Sequence, residues 1–214
     1  MPDEESESVS GRTWAAAAIG LLLFAAWLMG HPSGGEAAPG PGGRSSDVSS
    51  ERPPPVYAPH IPLPDSRPVR VDIPSIGLHA GVVERGLVNG AVDPPPYSTP
   101  DVAGWFGGGP TPGAAGAALL VGHVDTETRA AVFYGLSSVT PGTAVAVSRA
   151  DGSVAEFTVE AIEVVDKAKF SAERVYGAGS RPELRMITCG GTFDRVKRTY
   201  SANVVVFAAL TGSH

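Results

Sequence analysis

The 214-residue sequence contains one cysteine, Cys189, so it cannot close a disulfide within the chain, and it shows no cysteine and histidine spacing of the zinc kind. A cage of several acidic oxygen ligands is also missing, which leaves no reason to expect calcium, another metal or a cofactor. Basic residues are scarce: 16 Lys and Arg stand against 22 Asp and Glu, for a formal charge of −6. Half of that excess lies before Thr13, where Asp3, Glu4, Glu5 and Glu7 face Arg12 alone. The remainder is mildly acidic and has no basic stripe, which excludes the usual footprint of a nucleic-acid-binding protein. No internal repeat is found.

One long uncharged run is present. Residues 13–29 (TWAAAAIGLLLFAAWLM) read as a helix of about 17 residues, near the lower limit for crossing a bilayer, with Trp14 and Trp27 near its ends where indoles favour the headgroup region. The acidic leader is unlike the basic start of a cleaved signal peptide, and the nearest small-residue cleavage site, around Ala37 and Ala38, is weak. The expectation is an uncleaved single-pass anchor over residues 13–30. It would follow a short acidic cytoplasmic head, 1–12, and place the rest of the chain outside the cell membrane.

Residues 31–68 hold ten of the chain's 20 prolines together with glycine and serine, a composition that cannot bury enough apolar surface to offset the entropy of ordering it. This stretch reads as a linker. Extended as polyproline it would span on the order of 100 Å. From residue 69 to the end the length suits one domain, and the apolar runs are short, β-branched and separated by Gly and Pro turns. Strands are expected at 69–73, 117–121, 144–147, 157–165, 184–188 and 204–207, with an Asp151-Gly152 hairpin and short helical turns near 130–137 and 171–176. The pattern predicts an all-β sandwich or barrel rather than alternating βαβ units.

Cys189 closes the apolar run Leu184-Arg185-Met186-Ile187-Thr188 and precedes Gly190-Gly191. A lone cysteine is often a small buried hydrophobe. A thiol followed by two glycines, in a chain expected outside the cell, is also a candidate nucleophile. Of five histidines, His31 borders the expected anchor, His60 lies in the linker and His214 ends the chain, which leaves His79 and His123. His79 sits in a turn-like setting. His123 directly follows the run 117–121 and Gly122, so two reactive residues stand at the ends of apolar strands.

Four segments carry a resemblance: Gly122-His123-Val124-Asp125-Thr126; Val132-Phe133-Tyr134-Gly135-Leu136 with Pro141-Gly142 behind it; Ile187-Thr188-Cys189-Gly190-Gly191-Thr192-Phe193-Asp194; and Asn203-Val204-Val205-Val206-Phe207-Ala208. In these the chain resembles the sortases, membrane-anchored cysteine transpeptidases, and is most similar to the class F sortases of actinobacteria. The resemblance covers nearly all of residues 69–214. It implies a closed, mostly antiparallel β-barrel of about eight strands with the thiol and imidazole at neighbouring strand ends. It also implies a reaction: a Leu-Pro-x-Thr-Gly-like sorting signal of a secreted surface protein is cleaved between Thr and Gly, and the acyl group passes to an amine of a peptidoglycan precursor.

Within that reading Cys189 attacks as the thiolate and His123 serves as general acid and then general base. An arginine is expected to steady the carbonyl oxygen or clamp the peptide. Class F relatives carry it next to the Tyr that precedes the last strand, and here Ser201 follows Tyr200. Arg198 is the expected substitute, with Arg195 the more distant option and backbone N–H groups near Gly190 a third. Asp125 either tunes His123 or is simply solvated. Thr188, packed beside the thiol, and Phe170 and Val175, in an insertion over 165–182, are expected to contact substrate; the apolar residues of that insertion would equally form a satellite core beneath it. Two other functions stay open: a cysteine hydrolase that lacks an amine acceptor, and a non-enzymatic β domain that binds wall components. A wall cross-linking cysteine transpeptidase does not fit, because its Ser-His-Gly-Cys grouping is absent around Cys189.

Overall fold

The computed structural model describes residues 60–214 except Phe170 and Ala178. The expected anchor and head, and most of the expected linker, lie outside the described residues. Among the described residues no helix is long and apolar enough to cross a membrane.

The described residues form ten strands: β1 (Pro68–Ile73), β2 (Leu78–Arg85), β3 (Leu87–Val88), β4 (Ala91–Val92), β5 (Ala103–Phe106), β6 (Ala117–Val121), β7 (Ala144–Arg149), β8 (Val154–Asp166), β9 (Glu183–Asp194) and β10 (Thr199–Ser213). Eight of them close a barrel in the order β1-β2-β5-β6-β9-β10-β8-β7, while β3 and β4 make a separate small hairpin. Closure removes the free edges that an open sheet would present. Two neighbouring pairs, β2–β5 and β6–β9, run parallel, so the barrel is mixed rather than antiparallel. The parallel pairs arise because long connections, 86–102 and 122–182, carry the chain back to the same end of the barrel before each of these strands begins.

Alternation along the strands sorts side chains to two faces. Leu184 and Met186 of β9, Val204 and Val206 of β10 and Ala118 and Leu120 of β6 point into the main core with Phe133, Leu136 and Phe157. Each large side chain buried there stabilises the fold by roughly 1.5–3 kcal/mol. Their neighbours Ile187, Val205, Leu119 and Val121 point out of the barrel and make a second cluster with Val92 and Val175. Val175 belongs to the one described α-helix, α1 (Ala172–Tyr176), which Ser171 caps by accepting a hydrogen bond from the Arg174 N–H. The insertion between β8 and β9 thus covers a satellite core on the outside of the barrel.

Contacts with the barrel begin before β1. Leu63 donates its N–H to the Gly113 carbonyl at 2.8 Å and packs on the main core, and the Arg67 carbonyl accepts from Ala150 at 2.8 Å. The last residues of the proline-rich stretch are therefore laid on the domain, which the composition of 31–68 alone did not signal. The Asp151-Gly152 turn lies between β7 and β8 as its residues suggest, with Gly152 at φ +86° and the Asp151 carboxylate accepting from the Ser153 N–H.

Candidate active site

Cys189 does not end its strand. β9 continues for five residues beyond it, to Asp194, and there pairs with β10 through a register shift between Tyr200 and Ala202. What ends at the level of the sulfur is the strand on the other side: β6 pairs in parallel with β9 up to Val121 opposite Ile187, and Gly122 adds one more bond, its N–H to the Ile187 carbonyl at 3.1 Å. Cys189 thus has a β10 partner, Asn203, and an open side where β6 departs. Continuing the β6–β9 register by two residues sets His123 level with Cys189. The half-exposed cysteine shares the outward face with Ile187.

The motif before and after His123 has a packing reason. A Cβ on Gly122 would lie 2.5 Å from Val132 Cγ1 and 2.7 Å from Phe133 Cδ2, so only glycine lets this loop close down. Phe133 then donates its N–H to the His123 carbonyl at 3.0 Å, and Ala131 does the same to Val124 at 3.0 Å. Phe133 and Leu136, fully buried, anchor the loop that holds the histidine backbone. Beyond the sulfur, Gly191 adopts φ +76°, and a Cβ there would meet Ser201 Oγ at 2.5 Å.

The imidazole is fixed by a segment that sequence reasoning missed. Its Nε2 lies 2.7 Å from the Pro95 carbonyl, and Tyr97 stacks on the ring with centroids 4.0 Å apart and planes 18° apart. A carbonyl only accepts, so Nε2 carries hydrogen, and in the neutral ring Nδ1 is the nitrogen left to exchange a proton. The only trace in the sequence is the stiff run Pro94-Pro95-Pro96, whose nitrogens carry no hydrogen to compete for neighbours. Among the described residues no hydrogen bond joins the sulfur to the imidazole.

Cys189 opens into a cleft of about 1070 Å³. Its walls come from Tyr97, Ser98 and Pro100, from residues 125–129 after β6, from the β9–β10 hairpin between 193 and 200, and from Lys167. Tyr200 donates its hydroxyl to Asp125 Oδ2 across the cleft. This bond, with burial and the nearby charges of Asp125 and Cys189, pushes the Tyr200 phenol up to about 12. Asp125 is therefore tied to the hairpin, rather than to the His123 ring.

The expected cation stands on the cleft wall but is spoken for. Arg198, at φ +51° in the hairpin turn, is exposed and ion-paired with Glu127. Arg195 also lines the cleft. Ser201, in the place of the arginine expected after Tyr200, accepts from the Thr192 N–H at 3.0 Å and so braces the turn after the cysteine. Of the expected substrate contacts, Thr188 faces the barrel interior at 4 % exposure, its hydroxyl buried without a partner, and Val175 is 1 % exposed within the satellite core. Neither presents surface to a peptide in this structure, because alternation puts Thr188 on the opposite face from Cys189 and the insertion spends Val175 on its own packing. Phe170 lies outside the described residues.

Residues 71–211 match the family model described as the sortase domain. Among solved structures, the chain is similar to sortase A of Listeria monocytogenes, with 16 % identity and a TM-score of 0.52, covering 70 % of this chain and 90 % of that one. Sortase C-1 of Actinomyces oris is 21 % identical with a TM-score of 0.52, over 67 % of this chain and 73 % of that one. A sortase D5 transpeptidase of Clostridium perfringens is 20 % identical with a TM-score of 0.50, over 69 % and 80 % respectively. At these identities the likeness establishes the barrel fold. No curated protein matches the chain.

Proposed function

The chain belongs to the sortase family, whose members are cysteine transpeptidases, and from that premise we propose that it cleaves a Leu-Pro-x-Thr-Gly-like sorting signal between Thr and Gly and transfers the acyl group to an amine of a peptidoglycan precursor. The reading is supported by the parallel β6–β9 register, which, if continued two residues past Val121 and Ile187, brings His123 level with Cys189, and by the cleft into which the sulfur opens. The class F subgroup of actinobacteria is the assignment favoured by the motifs. Residues 13–30 act as the membrane anchor, with the barrel outside the cell.

The chemistry divides into two acyl transfers. The Cys189 thiolate attacks the Thr carbonyl carbon, the C–N bond to Gly breaks, and the imidazolium of His123 gives its proton to the departing amine. This leaves a thioester and a neutral imidazole. The incoming amine then attacks the thioester, the C–S bond breaks, an amide forms, and His123 takes the proton that the amine loses, which restores the thiolate and imidazolium. The Pro95 carbonyl keeps Nε2 protonated throughout, so the ring need not flip between steps. Arg198 clamps the peptide from the hairpin side, with its charge shared by Glu127.

Mass spectrometry of the full-length protein incubated with a Leu-Pro-x-Thr-Gly peptide tests this. An acyl adduct on Cys189, followed by ligated product when an amine is added, is the expected result. Adduct and hydrolysis with no ligation to any amine identifies a cysteine hydrolase instead; binding without an adduct identifies a wall-binding domain.

A further inference from the structure

The charged side chains on the cleft walls do not cancel. Arg198 is neutralised by Glu127, and Arg129, which also lines the cleft, is held by both oxygens of Asp101 at 2.8 and 2.7 Å. Removing these two pairs leaves one carboxylate and two cations. The carboxylate is Asp125, which accepts the Tyr200 hydroxyl. The cations are Lys167, whose Nζ donates to the uncharged Thr199 hydroxyl at 3.0 Å, and Arg195, which among the described residues makes no hydrogen bond or ion pair. All three line the same cleft as the sulfur. A concave site with low-dielectric walls concentrates the field of such groups and draws in a ligand of matching charge.

We propose that Asp125, Lys167 and Arg195 form an acceptor subsite within this cleft, apart from the Arg198 that clamps the peptide, and that it selects a zwitterionic amine, one that carries a carboxylate a few bonds from the attacking nitrogen, over an amine without one. The proposal rests on the transpeptidase reading. Asp125 stands two residues beyond His123, so an ammonium drawn to its carboxylate arrives beside the base that must take a proton from the attacking nitrogen. Lys167 and Arg195, on the connection after β8 and on the β9–β10 hairpin, receive the carboxylate. The reaction is the second transfer described above: the bound ammonium first loses one proton to solvent, the free amine then attacks, carbon and nitrogen join, the C–S bond breaks, and His123 takes the second proton.

The test uses the full-length protein, a Leu-Pro-x-Thr-Gly peptide, and two acceptors that differ only in the carboxylate, alanine and alaninamide, compared at equal concentrations of free amine. Ligated product is expected to form roughly five- to tenfold faster with alanine at low salt, and the ratio is expected to shrink as ionic strength rises. Lys167→Gln and Arg195→Gln are expected to move the ratio toward one. Equal rates, a preference for alaninamide, or a preference that neither variant changes would overturn the proposal while the acyl adduct on Cys189 stands. Absence of that adduct overturns the transpeptidase reading, and this inference with it.

Discussion

The two flanks of Cys189 along β9 are built differently. Toward Ile187 the outward face is closed: Ile187, Val121, Leu119 and Val205 are packed under Val92 and Val175, so the insertion before β9 is tied to the barrel by apolar contact. Toward Phe193 the face is open to the cleft, whose walls mix charged, aromatic and hydroxyl side chains. The closed flank fixes where the sulfur is; the open flank decides what reaches it. In the proposed reaction packing supplies the precision and the polar side the choice, a division that follows from placing the sulfur where one neighbouring strand stops and the other continues.

The largest expected effect falls on the group between the flanks. Cys189→Ala is expected to abolish the acyl adduct and lower peptide cleavage by at least about 10³-fold, while changing unfolding free energy by no more than about 0.5–1 kcal/mol, since the side chain is half-exposed and holds no partner. Cleavage that survived the substitution would remove the sulfur from the mechanism. His123→Gln is expected to cost about 10²–10⁴-fold in single-turnover acylation. An effect below tenfold would mean that the imidazole, held by Pro95 and Tyr97, stays out of the chemistry.

The closed flank was the more legible one. Six strands, the Asp151-Gly152 turn and the capped α1 all left local marks: β-branched runs, a residue pair suited to positive φ, and Ser171 before a helical turn. β2 and β5 left none, because β2 is interrupted by Gly81 and largely exposed, and β5 is four residues with a glycine inside. Without them the two parallel pairings could not be inferred, and the apolar run ending at Cys189 looked like a strand end although the strand continues through two glycines. The same flank misled in detail, since Val175 has the composition of a contact residue and the burial of a core residue. The open flank was legible only in its chemistry-bearing residues. That Pro95 and Tyr97 grip His123, or that Glu127 pairs with Arg198, depends on contacts across 28 and 71 positions of sequence that no local pattern encodes.

Gly122→Ala probes the join between the flanks. The added methyl must displace Val132 and Phe133, with an expected destabilisation of about 1–3 kcal/mol by chemical unfolding and a fall in kcat, because the loop that holds His123 shifts with Phe133. Unchanged stability would show that the loop is looser than its contacts suggest. On the open flank, Arg198→Ala is expected to raise KM for the peptide about fivefold, more than it lowers kcat, as suits an exposed guanidinium whose charge is shared with Glu127. A loss of about 10² in kcat would instead place Arg198 on the developing oxyanion and sharpen its role.

The smallest effect concerns Tyr200, which bridges the open flank to the loop after β6. Its phenol is held at about 12, first by the hydrogen bond to Asp125, then by burial and by the charges of Asp125 and Cys189. A folded-state value above the ordinary one of about 10 means that the folded protein binds more protons than the unfolded chain between these two values. The stabilisation is fully present below about pH 10 and is lost as pH rises through about 12. Denaturant unfolding of wild type and Tyr200→Phe should therefore give a stability gap that narrows over that window, and Asp125→Asn should move the phenol's ultraviolet titration back toward the ordinary value. A gap independent of pH would mean that Tyr200 holds the hairpin by ring packing on Phe193, whose centroid is 5.0 Å away, and that the Asp125 carboxylate is free to face the cleft alone.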